Sequence, residues 1–325
     1  MAKIQKHVYW GAMVLCLFYL TCDAPHKNPL DPMNGYPKPS LRGRVQTMRV
    51  PPVAIAGVKV TWQPGQQYTF TDEAGYYHFA GPLAADGLLI FEKESYRTAE
   101  IPVEWPAGAS VTNDVFLNAN PQLEDFSLYS IVTNYYEPRQ PRHELVARAQ
   151  LGDAEGDIDS VYIECAALAI KAHLQYDVLE RVFERSFSAS DLHLMSLRQV
   201  VGFDFNLCVI DRFGYRFNLG QERLARVITD EIVIDSPNNS ELAPKNVILK
   251  WFHFDPGFKF TFDVKIHTDD DFTPDLIWER AGIAADADSV SAYVPLASDY
   301  VWEIWCVDEF ANRARSKQGS FRVIN

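Results

Sequence analysis

The sequence predicts an all-β protein, built as three tandem β-sandwich domains that follow a leader and a short tether. From residue 41 onward, apolar side chains alternate with polar ones, which is the period of a half-buried strand and not of a helix. Turn-forming residues interrupt this pattern about every 8 to 15 residues, as is typical of sandwiches made from short strands. A chain of 325 residues is too long for one sandwich core, so we expect several separate domains.

The first 21 residues have the layout of a signal peptide. Lys3, Lys6 and His7 precede an apolar stretch over residues 8–21, and Cys22 then opens a polar segment. This apolar stretch is shorter than the roughly 20 residues that a membrane-spanning helix needs. We therefore predict that the chain is exported and that residues 1–21 are a signal peptide.

The cysteine at the end of the apolar stretch makes the leader resemble a bacterial lipoprotein signal peptide. The resemblance implies that Cys22 becomes the mature N-terminus and carries the lipid that holds the protein at a membrane. Plain cleavage with secretion and a retained, uncleaved anchor stay open as alternatives. Residues 22–40 are rich in proline and poor in apolar side chains, so we expect an extended tether.

The charge of the chain limits its partners. There are 43 acidic against 30 basic residues, a formal net charge of −13. Because phosphate binding needs a basic face, we expect no nucleic acid partner. The acidic balance favours solubility.

Alternating apolar residues predict the first sandwich over residues 41–119. Several short motifs there resemble the carboxypeptidase regulatory-like domain, a transthyretin-like β-sandwich: Gly43-Arg44-Val45, Ala56-Gly57-Val58-Lys59-Val60, Thr71-Asp72-Glu73-Ala74-Gly75-Tyr76-Tyr77-His78-Phe79 and Lys93-Glu94-Ser95-Tyr96. Gly75 ends a turn and can supply a positive φ there. Since that family's sandwich is non-catalytic, the resemblance implies a structural or interaction role.

An internal repeat predicts two further domains, over residues 120–235 and 236–325. The segment from Leu207 to Arg216 can be laid over that from Ile304 to Arg313, so a strand and the turn after it recur. The second copy resembles a fibronectin type III domain, and the first copy resembles the same immunoglobulin-like class. The resemblance implies that Trp251, Tyr300 and Trp302 are core residues. Residues 166–201, in the first copy, read as an irregular stretch with room for a short helix.

Three cysteines belong to the predicted domains, namely Cys165, Cys208 and Cys306. A disulfide framework uses an even number of cysteines at close spacing. Cys165 shares the strand phase of its apolar neighbours whereas Cys208 does not, so the two thiols would face opposite sides of a sheet. We predict three structural thiols, with a bridge between Cys165 and Cys208 as the alternative.

A group of alternating carboxylates is the stronger of two candidate metal sites. Asp153, Glu155, Asp157 and Asp159, with Glu164 further on, fit most ligand positions of a calcium loop, although the glycine of that loop is replaced by isoleucine. We predict a solvated turn with no cofactor and keep a weak Ca²⁺ site as the alternative. The run Asp269-Asp270-Asp271 is a weaker candidate, because three consecutive side chains cannot all face one ion.

No catalytic motif appears in the sequence, so we predict that the protein is not an enzyme. The histidines do not fall at zinc-ligand spacing, and there is no nucleophile elbow or phosphate-binding glycine loop. The remaining candidates for ligand contact are aromatic residues near strand ends or loops, where an exposed ring can stack on a sugar or anchor a protein. These residues are Trp62, Trp105, Trp278, Tyr135 and Tyr136.

Together these observations predict a non-catalytic lipoprotein of the cell envelope that acts as an interaction, adhesion or spacer module. Its membrane contact would be the lipid on Cys22, and its protein or glycan partner is unknown. The alternatives are a carbohydrate-binding accessory protein and an enzyme whose site is assembled from distant loops.

Overall fold

The computed structural model describes residues 39–81, 85–106, 110–270 and 273–324. The predicted signal peptide, Cys22 and nearly all of the tether lie outside these residues. The chain divides into two compact units between Asn118 and Ala119. Both units are β-structure, and the helices of the described residues are two 3₁₀ turns, Ala166–Leu168 and Leu197–Val200. The all-β prediction is confirmed.

The first unit is a sandwich of two sheets. Its strands are β1 Ser40–Thr47, β2 Lys59–Trp62, β3 Gln67–Phe70, β4 Tyr76–Ala80, β5 Gly87–Glu92, β6 Ala99–Val103, β7 Val111–Thr112 and β8 Val115–Leu117. One sheet has the order β4-β1-β7, with β8 continuing the pairing along β1, and the other has the order β3-β2-β5-β6. Alternate residues such as Val60, Trp62, Tyr77 and Phe91 fill the core between the sheets.

The second unit contains seventeen of the described strands. They are β9 Gln122–Thr133, β10 Arg142–Gly152, β11 Ile158–Cys165, β12 Ile170–His173, β13 Gln175–Asp177, β14 Val182–Phe187, β15 Asp204–Asp211, β16 Arg216–Arg223, β17 Ile234–Ser236, β18 Glu241–Ala243, β19 Asn246–Trp251, β20 Phe260–Thr268, β21 Leu276–Ile283, β22 Ser289–Tyr293, β23 Asp299–Asp308, β24 Arg313–Arg315 and β25 Gly319–Val323. Residues 166–201 hold β12, β13 and β14, so the prediction of an irregular stretch is wrong as far as Phe187. The alternation up to that residue is short and broken by turns, which hid the strands. The segment after β14 is irregular, and the short helix predicted in this region is confirmed as the 3₁₀ turn Leu197–Val200.

One sheet of the second unit is shared by both halves of the unit. It runs β13-β14-β10-β9-β24-β23-β20-β21, with β25 and β18 added beside β23. The link is a parallel pairing of β9 with β24, in which Ala314 lies opposite Val132. A four-stranded sheet, β12-β11-β15-β16, packs on the first half and a three-stranded sheet, β17-β19-β22, on the second.

Two hydrophobic cores result, one in each half of the second unit. Trp251, Tyr300 and Trp302 are buried in the second core, as predicted. Ile228, Ile232 and Ile234 precede the predicted boundary at residue 235 and pack in this second core too. The boundaries 120–235 and 236–325 stay a prediction, because the ten-stranded sheet runs across both halves.

Among the residues that the structure describes, the same aspartate turn occurs at Asp72, Asp211 and Asp308. In each turn one carboxylate oxygen accepts hydrogen bonds from the backbone N–H groups two and four residues later, at 2.8–2.9 Å. The residue three positions on is left-handed in every case: Gly75 at φ 79°, Gly214 at 81° and Ala311 at 64°. This is the three-residue hairpin loop in which a left-handed residue completes the turn. The predicted positive φ of Gly75 and the predicted recurrence of the turn are confirmed.

Candidate binding surfaces

The outer face of the β4-β1-β7 sheet carries a group of exposed polar and aromatic side chains. Strand alternation places Tyr77 in the core and leaves Tyr76 and His78 outside, with the Tyr76 side chain 54% exposed. In register, Arg42 lies opposite His78 on one side and opposite Thr112 on the other. Directly opposite residues have Cβ atoms about 5 Å apart, so these side chains form one surface.

These side chains border a cleft of about 460 Å³ in the first unit. Its lining residues are Arg42, Gly43, Tyr76, Tyr77, His78, Thr112 and Asp114. A glycine is required at position 43 of this lining, because a Cβ there would lie 1.7 Å from the carbonyl oxygen of Asn113. The Tyr77 hydroxyl donates to that same oxygen at 2.8 Å, so this hydrogen bond fixes the Tyr77 side chain in the lining of the cleft. The volume lies in the range that small-ligand sites occupy.

Two arginines near the cleft differ in the contacts that their side chains make. Arg44 is engaged, because its Nε donates to Ala74 O at 2.9 Å and its guanidinium lies 5.2 Å from the centre of the Tyr76 ring. The backbone N–H of Arg44 also holds Asp114 Oδ1 at 2.8 Å. Arg42 is exposed and its side chain makes no hydrogen bond or ion pair with any residue that the structure describes. Burial, followed by the Asp114 charge, raises the pKa of Tyr77, which therefore stays neutral.

The aromatic residues predicted for ligand contact divide into buried and accessible ones. Trp62 and Trp105 are wrong as exposed candidates: they are 0% and 9% exposed and pack together at 5.8 Å in the core of the first unit. Trp278 is half-buried on β21. Tyr135 is half-buried beneath Arg315, at 5.2 Å. Of the five, Tyr136 is the exposed one, at 53%.

The predicted acidic group forms the turn between β10 and β11. Asp153 caps this turn by accepting backbone hydrogen bonds from Glu155, Gly156 and Ile158. Glu155 accepts from the backbone of Ala119 at 3.0 Å. Asp159 is exposed on β11 instead of turning into the group. Glu164 is drawn away by an ion pair with Arg216. Within the described residues, no group of three or more histidine, cysteine or acidic side chains is placed to hold a metal ion.

Asp157 is the one buried carboxylate of this turn. It is 7% exposed, and its Oδ2 has no hydrogen-bond partner among the residues that the structure describes. Burial, and then the charges of Asp153, Glu155 and Asp211, raise the pKa of Asp157 to about 6. Asp157 therefore holds a proton in mildly acidic solution.

The three cysteines are free and buried, in agreement with the prediction of structural thiols. Cys165 packs in the first core of the second unit. Cys208 instead lies opposite Tyr162 in the strand register, with Arg216 Nη2 at 3.4 Å from its sulfur. Burial raises the pKa of Cys306 to about 12, which keeps that thiol protonated.

A buried polar network joins the two halves of the second unit. Asn312 Oδ1 accepts from Ser130 N at 2.8 Å, which ties the Asp308 turn to β9. Arg226 Nη1 lies 3.2 Å from Asp308 Oδ2, an ion pair whose angle falls outside hydrogen-bond geometry. Arg315 Nη2 donates to Asn134 O at 3.3 Å.

A second ion pair lies beside this junction, within the second half. Arg315 Nη1 lies 3.0 Å from Glu303 Oε2, and both side chains are nearly buried. Glu303 thereby orients the Arg315 side chain that donates to Asn134 in the first half. A shift between the halves would leave the buried Asp308 without Arg226.

No family model matches the sequence, and no curated protein matches it. Among solved structures, the FN1-FN3 domains of chicken CNTN1 align at 8% identity and a TM-score of 0.33, covering 82% of this chain and 91% of that one. The fibronectin(III)-like modules of Clostridium thermocellum CbhA align at 10% identity and 0.31, covering 63% and 93%. The Bacillus anthracis TIE protein aligns at 9% identity and 0.26, covering 88% and 48%.

The helices of the described residues are too short and too polar to cross a bilayer. Sequence reasoning missed the cleft on the first unit, although Tyr76-Tyr77-His78-Phe79 was noted as a motif. Since Tyr77 and Phe79 are core residues, alternation alone would have placed Tyr76 and His78 on the outer face.

Proposed function

We propose that the protein is an exported, non-catalytic recognition module of the cell envelope. The first unit binds a ligand in the cleft beside Tyr76, and the second unit is a stiff element that presents or spaces it. The lipid on Cys22 and the carboxypeptidase regulatory-like assignment of residues 41–119 belong to this proposal.

The cleft is the observation that carries the proposal. Gly43 and the Tyr77 hydroxyl pack against the carbonyl of Asn113, while Tyr76, Arg42 and His78 remain exposed. A site whose shape is fixed before binding loses less entropy when the ligand arrives. An exposed aromatic ring beside several polar groups can bind a sugar face or a protein side chain.

A glycan array and a pull-down from envelope extract test this function. We expect the native chain to bind on at least one of them, and Tyr76→Ala to abolish that binding. Tyr136→Ala is the matched control, because Tyr136 is similarly exposed but lies in the second unit. Binding that survives Tyr76→Ala would contradict the assignment of the cleft.

The second unit supports a spacer role as a second candidate. The continuous ten-stranded sheet, the Arg226–Asp308 pair and the hydrogen bond from Arg315 to Asn134 O favour one fixed arrangement of its halves. If the native chain binds nothing in either test but is still retained at the envelope, the spacer role would be favoured over recognition.

Anchoring by lipid has its own test. Cells fed labelled palmitate should label the native protein, and Cys22→Ser should lose the label and release the protein. Cys16→Ser is the matched control, because Cys16 lies inside the predicted leader. Label retained by Cys22→Ser would contradict the lipoprotein part of the proposal.

A further inference from the structure

We infer that the cleft of the first unit binds a sugar that carries a carboxylate, such as a uronic acid residue of an acidic polysaccharide. This inference rests on the recognition role proposed for the same cleft. Three features of the cleft indicate this chemical class of ligand: an unpaired guanidinium, an exposed tyrosine ring, and polar groups beside them.

The unpaired guanidinium points to an anion. Arg42 is exposed on β1, the strand between β4 and β7, and makes no side-chain hydrogen bond or ion pair within the described residues. Acidic residues outnumber basic ones in this chain, 43 to 30, yet none of those described pairs with Arg42. The guanidinium fork matches a carboxylate through two parallel hydrogen bonds. His78, directly opposite Arg42 in the register, can add a further hydrogen bond.

The tyrosine ring favours a sugar over a bare anion. Arg44 lies over the Tyr76 ring at 5.2 Å and keeps that ring beside the cleft, while the side chain remains 54% exposed. The apolar C–H face of a pyranose can stack on such a ring, whereas an inorganic anion gains nothing from it. A ligand that uses both Tyr76 and Arg42 therefore combines a ring with a charged group.

The remaining polar groups suit sugar hydroxyls. Asp114 has one carboxylate oxygen fixed by the backbone N–H of Arg44, at 2.8 Å, so it is oriented at the edge of the cleft and can accept from a hydroxyl. Thr112, opposite Arg42, can donate or accept. A second anionic group on the ligand near Asp114 would be repelled, which favours a single carboxylate surrounded by hydroxyls over a densely charged ligand.

Calorimetry with matched probes tests the inference. The probes are the methyl glycosides of galacturonic, mannuronic and guluronic acid, which carry one carboxylate each, and each is paired with its methyl ester, which keeps the ring and hydroxyls but removes the charge. We expect at least one acid to bind about 10- to 100-fold more tightly than its ester, the advantage of a hydrogen bond to a charged group. That advantage should shrink as salt is raised.

Two arginine variants locate the effect. Arg42→Gln should lower the affinity of the acid to that of its ester and leave the ester unchanged. Arg49→Gln, at an exposed arginine after β1, should change neither. Both positions are exposed, and circular dichroism would check that each variant folds as the native chain does.

The possible results distinguish failure of the carboxylate assignment from failure of the proposed recognition function. If acid and ester bind equally, or if Arg42→Gln weakens both alike, the carboxylate assignment is overturned while Tyr76-dependent recognition survives. If no acid binds but a neutral glycan or a protein binds through Tyr76, the inference is again overturned and the recognition function retained. If nothing binds through Tyr76, both fail.

Discussion

The turns at Asp211 and Asp308 have the same backbone and opposite electrostatic surroundings. Each aspartate caps its turn with two backbone hydrogen bonds. Asp211 adds to the negative charge around the buried carboxylate of Asp157, whereas Asp308 faces the guanidinium of Arg226. The strand register around the two turns is equivalent, since Ile158 lies opposite Asp211 and Phe260 lies opposite Asp308. The electrostatic difference therefore comes from the side chains and not from the strand pairing.

The backbone hydrogen bonds that form such a turn are independent of the contacts that the turn makes with other strands. The hydrogen bonds of the turn are local and recur wherever the sequence recurs. At the second turn, Asn312 accepts from β9 and Asp308 pairs with Arg226 of the first copy, so this turn becomes part of the junction with β9. In the first copy, Asp211 is instead one of the charges that, after the larger effect of burial, raise the pKa of Asp157.

Removing the charge of each aspartate should give the largest contrast. Asp308→Asn leaves Arg226 without its buried partner and should lower the free energy of unfolding by about 3–5 kcal/mol. Asp211→Asn keeps the turn hydrogen bonds and relieves repulsion on Asp157, so we expect a loss of less than about 1 kcal/mol. Urea unfolding with hydrogen exchange across β9 and β23 would measure both. Equal losses would mean that Arg226 does not distinguish the turns.

The pH dependence of Asp157 should give the second largest effect. A carboxyl whose pKa is about 6 in the folded chain, above its ordinary value of 3.8, binds protons more tightly when folded. Its contribution to stability is therefore present in acid and lost as pH rises toward and above 6. Asp157→Asn should raise the free energy of unfolding by about 2–3 kcal/mol at pH near 8 and change little at pH near 4.

The control for Asp157 is Asp159→Asn, two residues away and exposed. Thermal unfolding measured across that pH range should show no difference between Asp159→Asn and the native chain beyond a small constant offset. A pH-independent effect of Asp157→Asn would contradict the role of its buried charge.

The left-handed residue of each turn should give the smallest and most finely graded effects. Gly75→Ala should cost the most, because a Cβ there would lie 2.5 Å from Val45 O. Gly214→Ala has open space around it and should cost about 1 kcal/mol for its φ of 81° alone. Ala311→Gly should be neutral or stabilise by a few tenths, because relief of the left-handed strain is offset by unfolded-chain entropy. Thermal shifts would rank the three, and a loss larger for Gly214→Ala than for Gly75→Ala would contradict the steric argument.

The sequence was most informative where the physics is local. Alternation predicted the strands around Val60, Trp62 and Trp302, because burial on one face of a sheet repeats every second residue. It failed over residues 170–187, where β12, β13 and β14 are too short for the alternation to stand out. Trp62 and Trp105 were misplaced because position near a strand end does not say on which side of the sheet a ring lies.

The candidate site shows the same division. The motif around Tyr76 could be seen in the chain, but Arg42 and Thr112 reach it only because β1 pairs with β4 on one side and with β7 on the other. Pairings between strands so distant in sequence are set by the packing of the whole sandwich. They leave no short-range signal in the chain.

By itself, the sequence determined the all-β class, the recurrent aspartate turn and the three structural thiols. Each depends on neighbours within a few residues or on which face of a strand a side chain takes. The tertiary structure alone decided the continuous sheet through β9 and β24, the partner of each turn aspartate, and the cleft beside Tyr76. These depend on which distant strands meet, and therefore on the free energy of packing the whole unit.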